Sequence, residues 1–314
     1  MPFTLYSAGT TSKESTDYKR KIGYPQLLSQ YLEKKNILDW VEYLKGHPEC
    51  KSKLFIDSGA FTAHTKGVDI PVDSYIEFVN SIDDYVTIFA QMDKIAGIRG
   101  QEVSTEEQQE APRLSWENYL YMVKRVKSRD KLLPVFHQGD DFKWLKNMLE
   151  YTHEDGKHIK YIGISPNKGL SSSTWKPWLE KVFKYINESS NPNVCTHAFG
   201  VGAIKVLEQF PFTSADSTTW LKVSSFGSVM INGTTMVVSN RKRNDPDHIL
   251  NKSTAVIEDV KKICQEIGIT LEDLLDDDDT NSRINRELFN LTYLKKWADN
   301  YVFKGNNIYK SELF

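Results

Sequence analysis

The chain has 314 residues, 39% hydrophobic and 26% charged, with a formal net charge of −2. That composition is ordinary for a globular protein and excludes a polycation, so contact with nucleic acid would need a local basic patch. No apolar run approaches the about 18 residues of a membrane-spanning helix, and the start, MPFTLYSAG, lacks the pattern of a signal peptide, so the expectation is a cytoplasmic protein with no membrane partner.

Short apolar segments predict strands at Thr4–Ser7, Leu54–Asp57, Val86–Met92, Leu132–His137, Tyr161–Ser165, Val194–Phe199 and Thr213–Asp216. Most are hydrophobic throughout instead of alternating, which suits parallel strands covered on both faces. Between them, Pro25–Leu44 predicts a helix, or two helices broken near Asn36, with Leu28, Tyr31, Leu32, Leu38 and Val41 on its apolar face. Val72–Ile82 repeats Val72, Tyr75, Ile76, Val79 and Ile82 at helical spacing. Ser115–Lys127 opens on Ser115 as an N-cap, and Phe142–Tyr151, Trp175–Asn187 and Ala203–Gln209 continue the alternation. Strand followed by helix throughout predicts a parallel α/β fold, read as a closed barrel.

The C-terminal part leaves this rhythm. "VMINGTTMVVS" places Asn232-Gly233 between apolar runs, a hairpin signal, and the basic cluster Arg241, Lys242 and Arg243 follows. Hairpin and basic segment occupy about 226–245. Helices are predicted at Ser253–Ile267, at Thr270–Leu275 with Thr270 and Asp273 as a capping pair, and at Asn285–Val302, together about 252–303. The "DDDD" of Asp276–Asp279 reads as a solvated loop. Residues 1–314 form one expected domain.

Several strands end on a polar or glycine-rich group: "IDSGAF" at Asp57, "FAQMDK" at Asp93, "VFHQGD" at His137 and Gln138, "YIGISP" at Gly163, "THAFGVG" at His197 and Gly200, and "SADSTTW" at Asp216. The C-terminal ends of barrel strands share one face, which carries the active site of such folds, so these residues are expected to converge. Two carboxylates in one pocket can divide the labour, one attacking and one moving protons, as in chemistry at a sugar C1′. Asp93 and Gln138 suit a planar heterocycle, and Phe61 and Phe199 could stack on its faces. The implied chemistry is exchange or removal of a base at a glycosidic bond.

In order and spacing, "DSGAF", "QMD", "HQG", "YIGIS", "HAFGVG" and "SADS" resemble the tRNA-guanine transglycosylase superfamily over roughly Phe3 to Trp220. The resemblance implies a (β/α)8 TIM-type barrel. It implies that Asp216 is the nucleophile at C1′ and Asp57 the acid/base for the base's N9, with Ser58 beside it. Asp93 and Gln138 would read the pyrimidine edge of guanine or a 7-deazaguanine. Gly163 would supply a backbone contact, Phe61 and Phe199 would sandwich the base, and Gly200 belongs to the turn before the nucleophile. The chain departs from the tRNA enzymes in lacking their C-x-C-x-x-C zinc motif: Cys50, Cys195 and Cys264 lie far apart, and no metal or other cofactor is expected. "DSTTWLKVSS" replaces their Pro-Thr-Arg segment, and Ala60 stands at the second glycine of their DSGG turn. It therefore resembles most the bacteriophage 7-deazaguanine DNA transglycosylases, which would place it in the cytoplasm of an infected host cell. The expected partners are DNA and a free 7-deazaguanine such as preQ0, with the chain a monomer or homodimer.

Plainer readings stand beside these. Asp57 and Asp216 could be turn formers, His137 and His197 packing residues, and Phe61 and Phe199 core. Arg241–Arg243 could be a solvated surface, although it is the best candidate for phosphate contacts. A zinc-free tRNA enzyme, an N-glycoside hydrolase and a non-catalytic nucleic-acid-binding barrel are the competing functions.

Overall fold

The computed structural model describes residues 2–96, 104–167, 172–277 and 281–306. Parallel strands form its centre: β1 (Thr4–Ala8), β2 (Gln26–Ser29), β3 (Leu54–Asp57), β4 (Ile88–Ala90), β5 (Leu132–Leu133), β6 (Val135–His137), β7 (Tyr161–Ser165), β8 (Cys195–Ala198) and β9 (Ser214–Ser217). They bond in the order β5-β4-β3-β2-β1-β9-β8-β7-β6. The two ends of that order are pieces of one strand, separated by Pro134, which has no N–H to give the ladder. Because β5 pairs with β4 and β6 with β7, the sheet closes on itself as an eight-stranded α/β barrel of the TIM type.

All the strands expected from the sequence are present, but β2 lies inside the segment read as helical from Pro25. Its four residues are buried on both faces, so they show no period-two alternation. They also run straight into helix Gln30–Gly46, which buries Ile37, Trp40 and Val41, whereas Leu32 and Leu38 of the expected apolar face are exposed because the helix turns them away from the barrel. That helix is kinked at Glu33 (φ −127°, ψ 25°), not near Asn36. A second correction concerns Ser115. The helix spans Thr105–Met122 and is capped by Ser104 and Glu107; Ser115 is buried within it, its Oγ accepting from the Lys94 N–H at 2.8 Å.

Each strand sends alternate side chains inward and outward. Leu54, Ile56, Phe89, Phe136 and Ile162 pack outward against the helices, while Tyr6, Phe55, Ala90, Leu133 and Tyr161 fill the barrel, with Phe199 against them. Gly163 belongs to this interior. A Cβ there would lie 2.5 Å from Phe199 Cε2 and 2.9 Å from Leu133 Cδ1.

Beyond the barrel, β10 (Ser228–Ile231) and β11 (Thr234–Val237) form the expected hairpin, with Asn232 (φ 51°) and Gly233 (φ 75°) both left-handed, as a tight two-residue turn demands. Its apolar residues join those of helices Thr254–Ile267 and Leu271–Leu275 in a separate small core. Helix Ser282–Asp299 ties that core to the barrel: Phe289 enters it, Leu291 and Leu294 pack on the barrel's outer layer, and Tyr293 touches both. The "DDDD" segment is not simply solvated. Asp277 is largely buried, pairs with Arg286 Nη2 at 2.8 Å and accepts from Ser239 Oγ at 2.8 Å, because a buried guanidinium needs a carboxylate. Asp278 and Asp279 lie outside the described residues.

Gly163→Ala tests the interior packing. The added methyl must displace Phe199 or Leu133, and a loss of about 1–3 kcal/mol is expected in denaturant unfolding. An unchanged unfolding midpoint would contradict this packing.

Candidate functional site

The alternation that fills the barrel also selects what stands at its mouth. Asp57 is two residues beyond the inward Phe55, His137 two beyond Val135, and Phe199 two beyond His197, which is two beyond Cys195. Asp216 is two beyond Ser214, whose hydroxyl meets Tyr161 inside. All therefore sit on the inner face at the C-terminal strand ends, where the sequence analysis places them. Round the ring, Asp216 on β9 is three strand steps from Asp57 on β3 and four from β4, just after which comes Asp93. Asp93 thus stands across the mouth from Asp216.

Asp216 is held by the turn after β8. Its Oδ1 accepts from the Gly200 N–H at 2.7 Å and faces His197 Nε2 at 3.3 Å. Gly200 can point its N–H there because its φ is +68°, a conformation that side chains rarely adopt. The second glycine of "GVG" has a different reason: a Cβ at Gly202 would collide with the Ser217 and Thr219 hydroxyls, which bond to each other directly after the carboxylate. His197 is fully buried. Burial holds its imidazole below the usual pKa, against the pull of Asp216.

Asp57 forms an Asx turn, Oδ2 accepting from the Gly59 N–H at 3.1 Å, so its turn-forming role is realised at the mouth. Gly59 has φ +77°, and a Cβ there would fall 2.5 Å from Tyr31 Cβ, so this turn requires glycine. Ser58 is buried, and its Oγ accepts from the Ala60 N–H at 3.4 Å at the start of helix Ala60–Thr65.

Asp93 is fixed on both sides. Gln91 Nε2 donates to its Oδ1 at 2.6 Å, and His137 Nε2 lies 3.5 Å from its Oδ2; His137 Nδ1 is 3.5 Å from Asp140. Burial opposes a charge on His137, but Asp93 and Asp140 outweigh it and hold the pKa up at about 10, so this ring is an imidazolium at neutral pH. His137 thus lies between two carboxylates, Asp93 and Asp140, at the end of its strand. Each oxygen of Asp93 keeps a further lone pair for a ligand.

The remaining expected residues are placed less directly. The Gln138 N–H extends the strand pairing to Ser165 O at 2.9 Å, and its Oε1 accepts from the Asn167 N–H at 3.0 Å, so its amide is turned toward the segment after β7. Gly163 lies below the strand end. Its N–H donates to Pro134 O at 2.8 Å, and what it supplies is room for Phe199. Phe199 meets His197 and Phe55 edge-on at 4.6 and 5.7 Å, whereas Phe61 on helix Ala60–Thr65 is 63% exposed; among the described residues no ring contact joins the two. Arg241, Lys242 and Arg243 are exposed, but they are bonded within the C-terminal layer, to Asp277, Phe226 and Asn251.

Sequence reasoning weighed His197 as a packing residue and missed two further ones, Ser29 and Gln91. His197 was legible by parity: it is two residues before the inward Phe199 and in register with Ser214. Ser29 and Gln91 lie at the ends of β2 and β4, each with a buried side-chain oxygen that has no hydrogen-bond partner among the described residues. Ser29 was hidden by the helical reading of β2, and Gln91 by its carboxylate neighbour. Among the described residues no cluster of His, Cys, Asp or Glu is placed to hold a metal ion, and no helix is long and apolar enough to cross a membrane.

No protein-family model and no curated protein matches the chain. Among solved structures, a candidate fructose-1,6-biphosphate aldolase from Coccidioides immitis is similar over 95% of this chain and 92% of its own, at 10% identity and a TM-score of 0.42. That degree of likeness assigns neither family nor activity.

The His137 triad makes a prediction about pH. Its pKa is about 10 folded against 6.5 ordinarily, so its stabilisation is complete below about 6.5 and is lost as pH rises through about 10. Lys19, buried between helix Lys13–Lys21 and the barrel, titrates in the opposite sense: burial lowers it from 10.5 to about 7, against the pull of Glu33 and Glu287, so over that range its term grows with pH. The difference between wild type and His137→Gln removes the Lys19 term. In thermal unfolding the Tm gap should be widest near pH 6 and close toward pH 10; a gap constant with pH would contradict the triad.

Proposed function

We propose that this protein is a transglycosylase that exchanges guanine in DNA for a 7-deazaguanine base through a covalent aspartyl intermediate. The observation that carries the reading is the placement of Asp216 with one oxygen held and Asp93 fixed across the mouth from it. A nucleoside lying between them would offer C1′ to one carboxylate and the N–H edge of its base to the other. The motif series that resembles the transglycosylase superfamily supports the same roles.

The steps follow the roles that the resemblance gives these residues. Asp216 attacks C1′ as the C1′–N9 bond breaks, the bonding pair leaves on N9, and Asp57 supplies the proton that neutralises the departing guanine. The incoming 7-deazaguanine occupies the vacated place, loses its N9 proton to Asp57, and attacks C1′ as Asp216 leaves. Phe199 forms an apolar floor at the mouth, and Phe61 is an exposed ring at its rim. A guanine in a duplex must leave the stack to reach this depth. The carboxylate of Asp93, beside the His137 imidazolium, would accept from the base N–H groups.

The test is incorporation of labelled guanine or 7-cyano-7-deazaguanine into duplex DNA, single-stranded DNA and tRNA. Incorporation into DNA is expected, with Asp216→Ala reducing it at least about 1,000-fold. Incorporation into tRNA alone would overturn the DNA substrate. Abasic sites without incorporation would make the protein a hydrolase, and full activity in Asp216→Ala would overturn the mechanism.

A further inference from the structure

A carboxylate nucleophile has two equivalent oxygens, and on Asp216 they are not treated equally. Among the described residues both donors, the Gly200 N–H and His197 Nε2, fall on Oδ1, and none falls on Oδ2. Behind His197 a chain runs down into the barrel: Nδ1 lies 2.7 Å from Ser214 Oγ, and Ser214 Oγ lies 2.7 Å from the Tyr161 hydroxyl. The imidazole is wedged edge-on between Phe55 and Phe199, each with its centroid 4.6 Å away, with Tyr6 at 5.9 Å, and has no exposed surface.

The direction of this chain follows from counting protons. A carboxylate only accepts, so the ring nitrogen facing Asp216 must carry the hydrogen. Burial disfavours the charged ring, so Nδ1 carries no hydrogen and accepts, which requires the Ser214 hydroxyl to donate to it, and the Tyr161 hydroxyl donates in turn to Ser214. Each hydrogen in this chain then has an acceptor. The opposite direction would set an Nε2 lone pair against the carboxylate. The titratable groups facing His197 are Asp216, Tyr6 and Tyr161; burial raises both tyrosines well above their usual values, so they remain hydroxyl donors.

We propose that His197 is a positioning residue, locked as the Nε2–H tautomer by Ser214 and Tyr161, which holds Oδ1 of Asp216 and thereby presents Oδ2 to the anomeric carbon. This rests on the transglycosylase reading for its catalytic meaning, but the tautomer itself does not. The arrangement also assists the second half of the cycle. In the glycosyl ester Oδ1 is the carbonyl oxygen, and a donor already aimed at it stabilises the charge that returns when Asp216 leaves C1′.

The test compares His197→Phe, His197→Gln and Ser214→Ala, each checked for a wild-type unfolding transition. In base exchange, His197→Phe should lower kcat about 100-fold with KM for the free base little changed, because a misplaced nucleophile affects the chemical step. His197→Gln, whose amide N–H can take the place of Nε2–H, should recover about tenfold of that loss. A Gln variant no better than Phe, or a loss confined to KM, would overturn the positioning role. Nitrogen-15 NMR of labelled histidine reads the tautomer whatever the protein catalyses. Wild type should show neutral, Nε2-protonated His197, and Ser214→Ala a mixture of tautomers; an Nδ1-protonated ring in wild type would overturn the inference even if exchange is observed. Absence of exchange in wild type, with the Nε2–H tautomer present, would refute the functional reading while leaving the lock intact.

Discussion

Closure of the sheet is the constraint on which the rest depends. In an open sheet the strand ends spread along a line; in a ring they face one another. Closure here runs through Leu132–His137, one strand split at Pro134 whose two halves pair with different neighbours. Once the ring is closed, the alternation of each strand decides what meets at the mouth. The inward Phe55 and Ser214 commit Asp57 and Asp216 to the centre. Moving either carboxylate by one residue would bury it against the outer helices, where an unpaired charge is costly.

Polar groups at the mouth are held by partners with no evident need to touch a ligand. His197 and Gly200 fix one oxygen of Asp216, Gly59 fixes Asp57, and Gln91 with His137 fixes Asp93. The glycines of "DSGAF" and "HAFGVG" serve this purpose through two physical routes. Gly59 and Gly200 supply left-handed backbone that aims an N–H, and Gly202 supplies the space in which the next turn folds. Fixing carboxylates before a substrate arrives reduces the ordering that binding must impose.

Much of this was legible in the sequence because strand ends, parity and turn residues are local signals. The barrel class, the expected strands, the Asn232-Gly233 hairpin and the Thr270/Asp273 cap all depend on residues near one another. The failures are non-local. Strand β2 is too short and too uniformly buried to show a period, and only its pairing with β1 and β3 marks it. Ser115 looked like a cap because its tertiary partner, the Lys94 backbone, was unknown. Asp277 looked solvated because Arg286 is brought to it by the fold. Gly163 is explained by an aromatic ring on the neighbouring strand, and His197 by a carboxylate one strand further on.

The central claim is that Asp216 becomes covalently bonded to a sugar carbon of nucleic acid. The most direct measurement incubates the protein with guanine-containing duplex and single-stranded DNA without an incoming base, denatures the mixture rapidly, and maps any cross-linked peptide by mass spectrometry. The account predicts a DNA adduct on the peptide containing Asp216, absent in Asp216→Ala and discharged by added 7-deazaguanine. An adduct on another residue, or base exchange proceeding in Asp216→Ala, would contradict it.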